Sequence, residues 1–272
     1  MAEWSGVQHP LKTNLLPSAR VPLRIAAAIL ALLPVQGVLR SEDPPVKPPR
    51  IALLSLLGVP IGQTTRVVLR GWALKDPTMV VSDSPELQIT VISHAAASVP
   101  GKQKAEQIGD EQLELDVQVP EGATVKTAQI TVRTAAGESA PRRLLIGSDV
   151  PEVLEAEPND GLRQAQHVSV PQLISGSIHA DANVDVFAFS LAQPQRVQIR
   201  VDAAALGSGL DPLLTLWTAA GAILQSNDDH GDSRDAQITA ELPSGSYLIT
   251  LQDAHDRGGP AHPYRLMIKA AK

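Results

Sequence analysis

Proline and glycine interrupt this chain too often for it to be built from helices: 22 prolines and 19 glycines are spread over 272 residues. Proline removes a backbone donor and glycine adopts turn conformations freely, so long helices are broken while short strands joined by turns are tolerated. Between the breaks, apolar residues alternate. In "QLELDVQVP", Leu113, Leu115, Val117 and Val119 take turns with Glu114, Asp116 and Gln118, the period of a strand with one buried face. "TRVVLRGWAL", "ELQITVIS" and "AQITVRTAAG" repeat the pattern over residues 51–147. Further on, Phe187, Phe189 and Leu191 alternate with wet positions assigned to Asp185, Ala188 and Ser190. The runs around Val197–Val201, Tyr247–Leu251 and Tyr264–Ile268 follow the same rule. Aromatic residues make up only 3%, so the cores must be filled by Val, Ile, Leu and Ala, with Trp72 and Trp217 expected as partly buried core aromatics. An exposed Trp217 would instead mark a glycan or protein contact. The prediction is an all-β chain of two consecutive β-sandwiches, over 51–149 and 150–272, the second of jelly-roll type. The polar stretch "ASVPGKQKAEQIGDE" is expected to be a mobile loop.

The first fifty residues differ in kind. Arg20 and Arg24 precede the apolar run Ile25–Leu33, and Pro34, Val35 and Gly37 follow at small-residue cleavage spacing. That order is the pattern of a secretory signal, and the run is shorter than a membrane span of ~20 residues. Residues 1–37 are therefore read as a signal peptide, with an uncleaved anchor as the rival. "SEDPPVKPPR", within 38–50, is read as a proline-rich linker. The expected location is secreted, periplasmic or cell surface.

Charge narrows the partners. Residues 151–272 carry eight basic and fifteen acidic side chains, a balance of −7 within a chain total of −6. Nucleic acid requires a basic face to neutralise phosphates, so that class is excluded and cations are favoured. The chain has no cysteine, hence neither thiol nucleophile nor cysteine-held zinc.

Catalysis finds little support. The sequence has neither a G-x-S-x-G elbow nor an H-E-x-x-H pair. "HGDSRD" gathers His230, Asp232, Ser233 and Asp235 in one loop, whereas triads recruit residues from separate elements of a rigid scaffold. The segment "EAEPND" is more telling. Glu155, Glu157 and Asn159 stand at i, i+2 and i+4, so an extended backbone projects them to one side, and Asp160 adds a further oxygen. Asp181 and Asp185, with Asn183 between them, form a second acidic group. Calcium takes six to eight oxygens, several from carboxylates, and Glu155, Glu157, Asn159, Asp160, Asp181 and Asp185 are its candidate ligands. The competing reading is a turn whose acids serve solubility. Asp228, Asp229, Asp232 and Asp235 could hold a second cation, but lack the glycine turn and closing Glu of an EF-hand. There Asp235 is expected to pair with Arg234 or to cap the next strand.

Two resemblances sharpen the reading. "VPIGQTTRVVLRGWAL", "VQVPEGA" and "AQITVRTAAGES" make residues 51–149 similar to the immunoglobulin-like TIG (IPT) family. That implies an Ig-like spacer or interaction domain without catalysis. "EAEPND", "ISGSIHADANVDVFAFSL", "AALGSGLDPLLTLWTAAGAIL", "NDDHGDSRDAQI" and "LPSGSYLITLQDA…YRLMI" make the second segment resemble the bacterial pre-peptidase C-terminal (PPC) domain, in family order. The tandem resembles exported planctomycete proteins. Asn183 departs from the family pattern, which has Asp there. The resemblance implies that the linker packs beside the first strand pair and that its acids meet Asp181 and Asp185 around calcium. The expected function is an exported, non-catalytic binding or accessory protein that contacts an extracellular protein or polysaccharide. An accessory part of a secreted peptidase or other hydrolase, or a purely structural spacer, remains open.

Overall fold

The structure is a computed structural model that describes residues 47–75, 79–101 and 103–271; the expected signal segment 1–37 lies outside the described residues. Two β-sandwiches follow one another, each with its own hydrophobic core. No described helix is long and apolar enough to cross a membrane.

Among the described residues the first sandwich has nine strands. They are β1 (Arg50–Leu54), β2 (Gly58–Val59), β3 (Thr64–Trp72), β4 (Met79–Ser82), β5 (Gln88–Ala96), β6 (Glu111–Gln118), β7 (Thr127–Thr134), β8 (Gly137–Glu138) and β9 (Arg142–Ile146). One sheet runs β1-β3-β6-β5 and the other β2-β9-β7-β4, with β8 hairpinned onto β7. The alternation read from the sequence explains the packing. Val67 pairs with Leu115 and Leu69 with Leu113 across β3 and β6, all almost fully buried. Each such side chain contributes about 1.5–3 kcal/mol by leaving water. On the outer face Arg66 bonds Asp116 at 2.6 Å and Glu114 at 3.3 Å, half-exposed pairs that contribute little. Two expectations are corrected here. The linker reading 38–50 runs too far, since β1 already begins at Arg50, whose guanidinium lies 4.4 Å from the Trp72 ring centre. The polar stretch before β6 is not wholly loop either: Ala105–Ile108 forms a helical turn, α1, anchored by buried Ile108.

Among the described residues the second sandwich has ten strands. They are β10 (Glu152–Leu154), β11 (Gln166–His167), β12 (Gln172–Ser177), β13 (Asp185–Leu191), β14 (Gln195–Asp202), β15 (Pro212–Thr218), β16 (Ile223–Asn227), β17 (Gln237–Leu242), β18 (Gly245–Asp253) and β19 (Pro263–Ala270). The sheets run β10-β12-β19-β14-β17 and β11-β13-β18-β15-β16. Phe187 pairs with Ile249 and Phe189 with Tyr247, and the last two rings stack at 5.5 Å. Trp217 is half-buried but not in the core: Leu214 and Leu216 of the same strand face the core, while Trp217 donates its indole N–H to Thr250 at 3.1 Å on the other face.

One topological feature positions the site. β10 adds to β12 in one sheet and β11 adds to β13 in the other, both in parallel. The chain between them, residues 155–165, must therefore cross from one sheet to the other along the open side of the sandwich. "EAEPND" is the start of that crossing.

Candidate metal centre

The reading of β13 needs correction. Side chains alternate along a strand, and 185 has the parity of 187, so Asp185 belongs with Phe187 and Phe189 on the core side. The structure buries it completely, opposite Leu251. A carboxylate at an apolar position demands partners. The nearest is Tyr264 of β19, itself fully buried, whose hydroxyl lies 2.7 Å from Asp185 Oδ2 and 3.1 Å from Glu155 Oε1. One hydroxyl proton serves only one of these acceptors at a time. Burial, then the neighbouring Glu155 carboxylate, pushes the Asp185 carboxyl up to about 10. Burial and the same two acids hold the Tyr264 phenol well above its usual value.

The crossing segment completes the cluster. Glu155 Oε2 accepts the Ser177 N–H at 2.8 Å, while Oε1 accepts the Asn159 side-chain amide at 3.0 Å. Glu157 Oε2 accepts the Asn159 backbone N–H at 3.0 Å. The Asn159 carbonyl accepts the Val186 N–H at 3.0 Å, fastening the segment to β13 beside Asp185. Gly176 faces Glu155 and the Tyr264 hydroxyl so closely that any Cβ there would overlap both. Carboxylate oxygens of Glu155, Glu157 and Asp185 thus lie within 4.8 Å of one another. Two more oxygens, Asn159 Oδ1 and Asp185 Oδ1, are buried and have no hydrogen-bond partner. An unsatisfied buried acceptor costs about 1–3 kcal/mol, and both of these belong to residues hydrogen-bonded into the Glu155–Tyr264 cluster.

The six candidate ligands divide. Glu155, Glu157, Asn159 and Asp185 converge. Asp160 falls on the rim, in a second, exposed group with Glu157 and His179. There His179 Nδ1 is 2.7 Å from Glu157 Oε1. Asn183 supports that rim: its amide donates to Asp160, and its oxygen accepts the His179 N–H at 3.2 Å. Asp181 joins neither carboxylate group; its Oδ1 accepts the Gly258 N–H at 3.0 Å. Tyr264, Gly176 and Ser177 went unnoticed in the sequence, although a tyrosine that opens a core strand always needs a partner for its hydroxyl.

The other polar loop is built differently. Asp228, Asp229 and Asp232 are exposed, and among the described residues none joins a group of three close ligand atoms. Asp235 is buried and neither pairs with Arg234 nor caps a strand. Its carboxylate accepts the backbone N–H groups of Ala203, Ala204 and Ala205 at 2.7–3.1 Å, closing the start of the 3-10 turn Ala204–Leu206. Ser233 Oγ accepts the Asp235 N–H at 3.1 Å, and the His230 ring contacts Gln237 at 3.2 Å.

Compared by sequence with family models and with curated proteins, the chain has no match. Among solved structures it is similar to the pre-peptidase C-terminal domain of a Bacillus anthracis collagenase. The TM-score is 0.33 at 15% identity, over 45% of this chain and 100% of that one. It is also similar to the secreted serine protease VesC of Vibrio cholerae, with TM-score 0.29, 9% identity, and 79% and 48% of the two chains covered. A third is SGBP-B from a xyloglucan utilization locus of Bacteroides uniformis, with TM-score 0.28, 11% identity, and 83% and 74% covered.

Proposed function

We propose that this chain is an exported, non-catalytic binding module that pairs a TIG-like with a PPC-like sandwich. In this reading the second sandwich holds a calcium ion and contacts an extracellular protein or polysaccharide. The observation that carries the calcium is the pair of orphaned buried oxygens, Asn159 Oδ1 and Asp185 Oδ1, set beside Glu155 and Glu157. All the donors are oxygens, which suits a hard cation, and the set mixes carboxylates with an amide as calcium sites do. Glu155, Glu157, Asn159 and Asp185 would hold the ion, and Asp160 would add charge at the rim. A bound cation supplies charge compensation there: it lets Asp185 ionise in a buried position and removes the mutual repulsion of the three carboxylates. Asp181, engaged with Gly258, falls to a different role.

Local geometry supports the non-catalytic reading. Ser233 and His230 are occupied with Asp235 and Gln237 and do not form a nucleophile–base pair of the kind acyl transfer requires. The fixed crossing segment would instead present a calcium-dependent surface. A retention assay tests this function: full-length protein is immobilised and exposed to extracellular polysaccharide and protein from a bacterial envelope preparation, with calcium or with chelator. Retention in calcium and its loss in chelator is expected. Equal recovery in both, or turnover of peptide, ester or glycoside substrates abolished by Ser233→Ala, overturns the reading.

A further inference from the structure

A cleft of about 400 Å³ opens where the two sandwiches meet. Its walls come from β1, α1 and the start of β9 on one side, and from the 3-10 turn and the β18–β19 loop on the other. Cavities of this size at the junction of two folded units are where small ligands most often bind. The junction is held from both sides. Gln103 donates from the α1 loop to the Gly258 carbonyl at 2.6 Å, while the Gly258 N–H is held by Asp181. Nearby, Arg265 Nη2 reaches Gly147 O at 3.0 Å and Glu152 at 2.9 Å, and Gly58 leaves just enough room for that guanidinium. The cleft is therefore a built feature of the joint.

Its chemistry is amphipathic. Leu53, Leu54, Leu56, Ile108 and Leu206 supply an apolar wall. Three arginines line it against one carboxylate, that of Asp181, in a chain whose formal charge is −6. Arg257 is neutralised by Asp253, with contacts of 3.0 and 3.2 Å. No ion pair among the described residues uses Arg142 or Arg143. The Arg142 guanidinium is placed within the cleft: a Cβ at Gly207, on the opposite wall, would lie 3.8 Å from its Nη2. Gln103 and His262, on opposite walls, leave Oε1 and Nδ1 buried and unpartnered, and each is a place where a bound main chain relieves an existing desolvation cost.

We infer that this cleft binds the end of a peptide chain, an apolar C-terminal segment whose free carboxylate pairs with Arg142. The argument is complementarity. An unpaired guanidinium selects a carboxylate through parallel N–H···O bonds. The leucine wall selects apolar side chains, and the side-chain amides of Gln103 and Gln107 suit the amides of a peptide better than a hydrocarbon tail. This site is separate from the metal centre and does not depend on it.

The test titrates full-length protein, in chelator so that calcium plays no part, with acetyl-Leu-Leu bearing a free carboxylate and with the same dipeptide amidated. Binding is followed by ligand-observed NMR. The free acid should bind at least about tenfold more tightly than the amide, because a desolvated charge-assisted pair is lost in the latter. Arg142→Gln should weaken the acid about tenfold and leave the amide unchanged. Arg142→Lys should restore part of the loss, which guards against a merely structural effect, and Arg200→Gln, whose partner is Asp202, should bind as the wild type does. Equal binding of acid and amide, undiminished binding by Arg142→Gln, or no binding of either dipeptide at millimolar concentration overturns the inference.

Discussion

Replacing Asp253 with Asn should strongly destabilise the second sandwich. The Asp253 side chain is fully buried at the end of β18, and five donors converge on its carboxylate. Oδ1 accepts from the backbone of His255 at 2.9 Å and of Arg257 at 3.2 Å, and from Arg257 Nε at 3.0 Å. Oδ2 accepts from the Asp211 N–H at 3.0 Å and from Arg257 Nη2 at 3.2 Å. An asparagine keeps one acceptor oxygen and turns an amide N–H₂ toward the remaining donors. Each buried donor left unsatisfied costs about 1–3 kcal/mol. The Arg257 side chain is 42% exposed, so water offsets part of its loss, and the cost stays below the 3–5 kcal/mol of a fully buried broken pair. We expect about 2–3 kcal/mol, or a melting temperature lower by about 6–12 °C. Acid supplies the second half of the test. Burial alone would raise the Asp253 carboxyl, but the hydrogen bonds from Arg257 and from three backbone N–H groups outweigh it and hold it below its ordinary value. A depressed folded-state pKa stabilises above the unfolded value of ~3.9, and that stability is lost as pH falls through the folded value. The gap between wild type and Asp253→Asn, measured by urea denaturation, should therefore shrink from about pH 7 to about pH 3. A variant as stable as the wild type at neutral pH, or a gap that widens in acid, would refute the reasoning.

Two further outcomes concern the metal centre. Asp185, with its carboxyl raised to about 10, binds a proton more tightly folded than unfolded. In chelator, wild-type stability should accordingly fall as pH rises above ~3.9, by at most about 1.4 kcal/mol per pH unit. Asp185→Asn should flatten that slope in a pH series of melting curves. Gly176→Ala places a methyl group against Glu155 and the Tyr264 hydroxyl. It should cost about 1–3 kcal/mol and weaken calcium binding by at least about tenfold, as read by calorimetry.

Much of this architecture was legible because a period of two needs only local information. Leu113, Leu115 and Val117 announce a half-buried strand wherever its partners come from, and the paired register of β3 and β6 follows from it. The site was legible only in part. The acids of 155–160 were recognised as one cluster, but the reason they converge is topological. The chain leaves one sheet after Leu154 and joins the other at Gln166, and nothing in the six residues themselves encodes that crossing. Asp185 has the parity of Phe187 and Phe189, but a charged residue at the start of a strand reads as solvent-facing, and its burial depends on Tyr264 and Glu155 from distant segments. Asp181 was grouped with it by proximity in sequence, whereas its partner, Gly258, lies 77 positions away. Asp235 shows the same limit: its three backbone donors at 203–205 come from a turn some thirty residues earlier.

The central question is whether the buried oxygens of Asn159 and Asp185 take a cation as partner. The most direct measurement is the melting curve of the full-length protein in calcium, in magnesium and in chelator at constant ionic strength. At a hundredfold excess over the dissociation constant, calcium should add about 2.7 kcal/mol to the folded state, raising the melting temperature by about 5–10 °C. Magnesium, which demands tight octahedral geometry and keeps its waters, should do much less. Asp185→Asn should erase the calcium shift, and Asp232→Ala should leave it intact. Superimposable curves in calcium and chelator for the wild type would contradict the account and leave Glu155, Glu157 and Asp185 as a purely structural cluster that shares a proton.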